Sequence, residues 1–307
     1  AIGYVALSSD TQGERAVAIG EGALFTQNFT SETNNYNTAI GYNAGYAVTT
    51  GVQNTFIGGL AGDANTTADD NVAVGYLALS ANTTGGNLTA VGKGALAANT
   101  TANDNTGIGL RALGAATTGA SNTAVGRDAG LSVTTAGNNT LIGSIAGDAL
   151  TTGNRNVAVG FNTLSDDTKG SRNVAIGDSA LGDQNFTTAT DSYNTAVGFA
   201  AGGTVSTGIN NTLIGGLAGD ALTVGNANVA VGGATLSSDT QGDRNVAVGY
   251  AALETQNFTT STDSYNTAVG YVAGNAITTG IENVLIGGAA GDALTDADYN
   301  VAIGQAA

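Results

Sequence analysis

The chain has 307 residues, of which 24 are acidic and only eight are Lys or Arg, and its formal net charge is −16. It contains 48 Gly and no Pro, Cys, Met, Trp or His, so it has no imidazole base, thiolate nucleophile, soft metal site or disulfide. Such an acidic surface repels nucleic-acid phosphates and anionic membranes, and no apolar run is long enough to span a bilayer. We therefore expect no nucleic-acid partner and no membrane insertion of this segment.

One glycine recurs along the chain every 17 residues, with three steps of 21, from Gly3, Gly20 and Gly41 to Gly304. A short period held this far is typical of a solenoid, in which each repeat is one coil stacked on the last. We predict an all-β fold: one continuous parallel β-solenoid (β-roll) over residues 1–307, with 17-residue coils and three 21-residue coils. With strands about 4.8 Å apart, it would be a rod about 80 Å long.

We call the recurring glycine the ruler glycine and number the positions of each coil from it, with the glycine as zero. The residues before it predict a short strand. Position −4 is Asn in nearly every coil, −3 is Val or Thr, −2 is usually Ala and −1 is Val or Ile, as in 173–177. Since side chains alternate along a strand, −3 and −1 face one side and −2 the other. Stacked Asn side chains can exchange hydrogen bonds between coils. Every fourth coil or so, −2 becomes large: Phe56, Leu141, Leu213 or Leu285.

The residues after the glycine predict a thin core and a turn. Position +3 is almost always Ala, and +4 is Leu or Gly. Where +4 is Leu, as at Leu79, +7 is small or polar; where +4 is Gly, +7 is usually apolar, as at Val48. This exchange indicates volume compensation, so both positions should point inward. Thr recurs at +8, often as Thr-Thr-Gly, and we expect that Gly, for example Gly280, to supply a positive φ that reverses the chain.

In chain order, a four-coil unit over residues 3–75 is followed by five plain coils over 75–160 and by four-coil units over 160–232 and 232–304. The second coil of each four-coil unit has four extra residues, in a segment with one Gln-Asn-Phe-Thr and one Tyr. The candidate contact residues of these insertion segments are Asn28, Phe29, Tyr36, Asn185, Phe186, Tyr193, Asn257, Phe258 and Tyr265. Exposed aromatic side chains would suit a matrix protein or glycan ligand. The alternative, which we favour, is that Phe and Tyr fold back over a strand edge or a subunit seam.

The sequence signatures of enzymes and ion sites are missing. No Gly-x-Gly-x-x-Gly is complete, and there is no phosphate loop and no Gly-x-Ser-x-Gly elbow. Asp63, Asp148, Asp220 and Asp292 recur four or five coils apart, too far to share a cation. Acidic residues of the insertion segments, such as Asp191, lack the Asp-rich pattern of calcium loops. We therefore predict no enzymatic activity, no cofactor and no metal site.

The stretches Asn-Val-Ala-Ile-Gly at 173–177 and 300–304 and Asn-Thr-Ala-Val-Gly at 122–126 carry a family likeness. They resemble the head repeats of trimeric autotransporter adhesins, and they are also similar to repeats of bacteriophage tail-fibre shafts. The resemblance covers essentially the entire chain. It implies a left-handed parallel β-roll in which three chains lie side by side and bind extracellular matrix or other cells.

Few large apolar residues per coil indicate lateral association, and the resemblance implies a parallel homotrimer. The chain begins and ends inside a repeat, so we expect a fragment of a longer array. We predict a non-enzymatic structural fibre segment, extracellular on a cell surface, that acts as an adhesin head or rigid spacer. The alternatives are a bacteriophage tail-fibre shaft on a virion, and ice or glycan surface binding through the stacked Thr column at +8.

Overall fold

The computed structural model describes residues 1–307 and contains strands and turns but no helix. The chain forms two compact units, Ala1–Thr152 and Gly153–Ala307. The first unit contains β1 (Gly13–Glu14), β2 (Val17–Ile19), β3 (Thr33–Asn34), β4 (Thr38–Ile40), β5 (Thr55–Ile57), β6 (Val72–Val74), β7 (Thr89–Val91), β8 (Thr106–Ile108), β9 (Thr123–Val125) and β10 (Thr140–Ile142). The second contains β11 (Val157–Val159), β12 (Gly170–Ser171), β13 (Val174–Ile176), β14 (Thr190–Asp191), β15 (Thr195–Val197), β16 (Thr212–Ile214), β17 (Val229–Val231), β18 (Gly242–Asp243), β19 (Val246–Val248), β20 (Thr262–Asp263), β21 (Thr267–Val269), β22 (Val284–Ile286) and β23 (Val301–Ile303).

Each three-residue strand occupies positions −3 to −1, where two β-branched side chains favour extended backbone. Consecutive strands pair in parallel and in register: β4 lies beside β5 with Thr38 opposite Thr55 and Ile40 opposite Ile57. The same pairing joins β2 to β10 through the first unit and β11 to β23 through the second. The predicted parallel β-solenoid with 17-residue spacing is therefore confirmed within each unit. Continuity from residue 152 to residue 153 stays a prediction.

The interior of each coil is lined by positions −2, +3, +4 and +7. Ala39 and Phe56 at −2 are fully buried, whereas Ile57 at −1 is 37% exposed. The predicted alternation is confirmed, and −2 is the inward side. Leu79 at +4 and Val48 at +7 are also fully buried, which confirms the volume exchange between these two positions. The core is thus one narrow column of Ala and Leu enclosed by backbone.

The large residues at −2 depend on the glycines at +4. The ring of Phe56 lies between Gly45 of the preceding coil and Gly62 of its own coil. An added methyl group on Gly45 would lie 2.8 Å from Phe56 Cδ2. The same bracketing recurs around Leu141, Leu213 and Leu285. The sequence shows these columns separately, and the structure shows that they share one space.

The ruler glycine is required by both conformation and space. Gly58 has φ +133°, and an added methyl group would lie 2.6 Å from the carbonyl oxygen of Gly75 in the next coil. The prediction that Gly280 supplies a positive φ is wrong, because the glycines after Thr-Thr are not in the left-handed region. Instead the chain turns at positions −5, +2 and +4, where even Leu77 (φ 57°) and Leu79 (φ 56°) are left-handed. Gly280 is small because the carbonyl of Ala297 approaches it.

Side-chain hydrogen bonds connect the coils along two columns. In the Asn column, the backbone N–H of Asn54 donates to Asn37 Oδ1 at 2.9 Å, and Asn54 Nδ2 donates to the Ala68 carbonyl at 2.9 Å. Both Asn side chains are fully buried, and the predicted bonding of this column is confirmed. In the Thr column at +8, Thr66 Oγ1 donates to the Thr83 carbonyl at 2.9 Å. These bonds satisfy polar groups that the narrow core would otherwise bury unpaired.

Candidate binding surfaces

The insertion segments are folded onto the solenoid. Each segment contains a short parallel strand that pairs with the preceding coil: β3 with β1, β14 with β12 and β20 with β18. In the first segment, Thr33 lies opposite Gly13 and Asn34 opposite Glu14. Each segment therefore adds a second pair of strands at one side of the coil.

A buried polar network fixes each segment. Asp167 Oδ2 accepts a hydrogen bond from Gln184 Nε2 at 2.6 Å, and Gln184 Oε1 accepts one from Asn194 Nδ2 at 2.8 Å. Asp167 Oδ1 accepts the backbone N–H groups of Gly170 at 2.9 Å and Phe186 at 3.1 Å. The same network recurs with Asp10, Gln27 and Asn37 and with Asp239, Gln256 and Asn266. A carboxylate thus holds the base of each segment in place.

Burial shifts the pKa of two of these carboxylates. Burial raises the pKa of Asp167 and of Asp239 above its ordinary value of 3.8, and the hydrogen bonds from Gln and backbone N–H groups oppose this rise. Sequence reasoning missed the network. The available signal was an acidic residue at +7 in the coil before each Gln-Asn-Phe-Thr, at Asp10, Asp167 and Asp239.

The candidate contact residues divide into inner and outer groups. The rings of Phe29, Phe186 and Phe258 point inward and are only 5–6% exposed. Tyr36, Tyr193 and Tyr265 are about half exposed, and Asn28, Asn185 and Asn257 are exposed. A ligand approaching these segments would therefore meet the Asn and Tyr side chains. Their role as contact residues stays a prediction.

Each outer Tyr lies under an arginine. The guanidinium carbons of Arg15, Arg172 and Arg244 lie 5.4 Å, 5.5 Å and 5.5 Å from the ring centroids of Tyr36, Tyr193 and Tyr265. Arg172 also forms an ion pair with Asp191 at 2.9 Å, and Arg244 pairs with Asp263. These carboxylates face a cation of the chain itself, and no three His, Cys, Asp or Glu side chains come together as a metal-ligand group.

A continuous apolar strip runs along the outside of each unit. We call it the Val/Ile face: the outward side chains at −1 of the stacked strands, which lie beside the Val or Thr side chains at −3. Ile57, Ile142, Ile214 and Ile286 on this face are 37–39% exposed. Contiguous exposed apolar area of this kind marks interaction surfaces more often than free protein surface.

Two concave surfaces lie in the first unit. The aromatic cleft has a volume of about 400 Å³ and is lined by Tyr4, Val5, Glu21, Gly22, Phe25, Tyr42, Asn43 and Tyr46. A wider groove of about 820 Å³ is lined by residues of the plain coils, among them Leu77, Lys93, Leu110, Arg111 and Leu131. Arg111 in this groove donates two hydrogen bonds to the Asp128 carboxylate, at 2.8 Å and 3.0 Å. Neither surface was predicted from the sequence.

No protein-family model, curated protein or solved structure matches this chain. The structure has no helix with the length and hydropathy needed to cross a membrane.

Proposed function

We propose that the chain is a non-enzymatic structural segment of an extracellular fibre, which acts as an adhesin head or a rigid spacer. The solenoid fold supports this proposal, because each coil contacts its neighbours in a fixed register and presents the same surface to the outside. Rigidity of this kind suits an element that holds a binding surface at a distance. The candidate Asn and Tyr residues of the insertion segments would then contact a matrix protein or glycan.

We further propose that three chains assemble side by side as a parallel homotrimer. In each chain the coils would be left-handed, and three of them would have 21 residues. The observation that carries the proposal is the Val/Ile face. Side chains such as Ile214 keep more than a third of their surface exposed in the single chain, on an uninterrupted in-register sheet. Burying that strip would contribute about 25 cal/mol for each Å² of apolar surface removed from water.

Two alternatives differ in how the geometry supports them. A bacteriophage tail-fibre shaft would use the same fold and the same Val/Ile face, so it differs only in location. Ice or glycan binding through the Thr column at +8 is less well supported. Hydroxyl groups of this column, such as that of Thr83, donate to a carbonyl of the next coil at 3.0 Å and are half-buried. They therefore offer few free donors to an external lattice.

Light scattering of the 307-residue chain after size-exclusion chromatography tests the assembly. We expect three times the chain mass of 29.8 kDa. Ile214→Asp on the Val/Ile face should reduce the mass to that of one chain. Leu217→Asp is a matched control, because Leu217 is 40% exposed and Ile214 39%, but Leu217 lies at +2 on another face. A monomeric wild-type chain, or equal loss of assembly in both variants, would contradict the proposal.

Labelling intact source cells with antibodies against the chain tests the location. Signal before permeabilisation supports an extracellular fibre, and signal confined to virions supports the tail-fibre alternative. Signal found only after lysis would contradict both. Binding of the chain to immobilised matrix proteins, compared with Tyr193→Ala and Tyr265→Ala variants, then separates an adhesin head from a spacer.

A further inference from the structure

We propose that the aromatic cleft of the first unit is a binding site for a neutral hexopyranose saccharide. The cleft lies within a single chain, so the inference does not rest on the proposed assembly or location. Its volume of about 400 Å³ falls within the range of about 300–1,000 Å³ that is usual for small-molecule sites.

The spacing of the coils places two aromatic residues of the cleft two coils apart. Tyr4, Glu21 and Tyr42 occupy position +1 of three consecutive coils. At about 4.8 Å per step, the backbone at Tyr4 and Tyr42 is about 10 Å apart, with Glu21 between them. A ring held between two aromatic faces by carbon–carbon contacts of about 3.5–4.0 Å needs at least about 7–8 Å. The backbone separation therefore leaves enough distance for one saccharide ring between the two tyrosine side chains, beside Glu21.

The walls of the cleft are exposed aromatic surfaces. Tyr4 is 77% exposed, Tyr42 55% and Tyr46 37%. Phe25 and Tyr46, at position +5 of adjacent coils, stack at 5.0 Å between centroids with an interplanar angle of 11°, so each ring covers one face of the other at the edge of the cleft. The electron-rich faces of exposed tyrosine rings attract the C–H groups on a face of a pyranose ring, which carry a slight positive charge.

Polar groups without partners sit beside these rings. Glu21 is exposed and Asn43 half-exposed, and neither side chain is hydrogen-bonded or ion-paired within the chain. Gly22 lies next to the Asn43 amide, and an added methyl group there would also be 3.3 Å from Tyr46 Cδ2. The missing side chain at Gly22 is what admits the amide. A carboxylate accepts hydroxyl hydrogens and an amide both donates and accepts, which matches adjacent hydroxyl groups of a sugar.

The charge of the site selects among saccharides. Glu21 is the only charged residue among those that line the cleft, and the chain carries a net charge of −16. Sialylated or sulfated glycans would be repelled by both. A neutral hexose avoids this repulsion and satisfies the Glu21 carboxylate.

The other insertion-bearing coils supply an internal comparison. The counterparts of Phe25 and Tyr46 are Gly182 and Gly203 in the second segment and Glu254 and Asn275 in the third. Tyr250 and Tyr271 at position +1 of the third segment do stack, at 5.8 Å, but no aromatic pair lies beside them at position +5. Saccharide binding is therefore expected once per chain, and Tyr271 is a matched control for Tyr42.

Isothermal titration of the 307-residue chain with cellotetraose, maltotetraose and lactose, and with sialyllactose as the charged probe, tests the site. We expect millimolar or tighter binding of at least one neutral probe and none of sialyllactose. Tyr42→Ala and Glu21→Gln should each weaken that binding at least tenfold, whereas Tyr271→Ala should leave it within twofold. Unchanged circular dichroism of each variant checks the fold.

Three results would overturn the inference: no heat of binding with any neutral probe at about 10 mM, undiminished binding by Tyr42→Ala, or equal loss of binding in Tyr271→Ala. Each is independent of the mass measured for the assembly, so failure here is distinguishable from failure of the proposed trimer.

Discussion

The ring of Phe56 occupies the space that a side chain on Gly62 would need, since an added methyl group would lie 2.5 Å from Phe56 Cδ1. Gly45 of the preceding coil lies on the other side of the same ring, where an added methyl group would be 2.8 Å from Phe56 Cδ2. Leu24 and Leu79 at position +4 of the flanking coils are fully buried where this large residue is absent. The cross-section of the solenoid is thus kept full by exchanging volume between neighbouring coils.

This relationship predicts coupling between Phe56 and Gly62. Phe56→Ala should lower the free energy of unfolding by about 3–5 kcal/mol, because it leaves a cavity in a thin core. Gly62→Ala should be destabilising alone and cost at least about 1 kcal/mol less in the Phe56→Ala background. Urea unfolding of both single variants and the double variant measures the coupling. Phe161→Ala, a 53% exposed Phe, is the control, and strict additivity would contradict the shared space.

The ruler glycine predicts a sharp contrast between two glycines. Gly75 has φ +138°, and an added methyl group would lie 2.6 Å from the Gly92 carbonyl oxygen, so Gly75→Ala should cost more than about 2 kcal/mol. Gly216 has nothing within 4 Å and no left-handed φ, so Gly216→Ala should change stability by less than about 0.5 kcal/mol. Thermal unfolding followed by circular dichroism distinguishes them. Similar melting temperatures for the two variants would refute the steric argument.

The buried network predicts that Asp167 cannot be replaced by its amide. In Asp167→Asn, one former acceptor becomes an NH₂ group that faces either Gln184 Nε2 or the backbone N–H groups of Gly170 and Phe186. The unpaired donors should cost about 1–3 kcal/mol. Asp183→Asn, at an exposed carboxylate of the same segment, should be neutral. Urea unfolding compares the two variants, and equal stability would remove the structural role of the network.

Two other carboxylates predict a rise in stability on mild acidification. Asp63 and Asp220 each keep a buried Oδ1 without a hydrogen-bond partner, and burial raises their pKa above the ordinary 3.8. The folded chain then binds protons at a pH where the unfolded chain does not. The free energy of unfolding should therefore rise as the pH falls from neutrality through the raised pKa values toward 3.8.

Amide substitutions isolate this effect. Asp63→Asn and Asp220→Asn should raise the melting temperature at neutral pH and flatten its dependence on pH. Asp292 is the exposed counterpart at the same position of the last repeat, so Asp292→Asn removes the same charge without relieving burial. Melting temperatures measured from neutral to acidic pH at constant ionic strength distinguish relief of burial from loss of net charge. An equal rise in Asp292→Asn would assign the effect to net charge alone.

The strands and their register were predictable because the period of the sequence is the period of the coil. Which side of the strand faces the core could not be predicted, because Ala at −2 and Val or Ile at −1 are both apolar. The left-handed backbone at Leu77 and Leu79 could not be predicted from residue preference, because stacking between coils imposes it on side chains that ordinarily avoid it. The Asp167 network and the aromatic cleft were missed for another reason: their members lie in different coils, and the period alone does not show which side chains of stacked coils point toward one another.

The bracketing of Phe56 by two glycines also governs how such a chain can change in length. A coil with Leu at +4 needs only a small residue in the coil that follows it: an added methyl group would lie 3.0 Å from Leu113 on Gly130 and 3.2 Å from Leu96 on Gly107. Coils with Gly at +4 occur as couples, two consecutive coils whose glycines enclose one large side chain. Duplications and deletions that respect this rule leave the interior filled, and those that split a couple leave either a void or a collision.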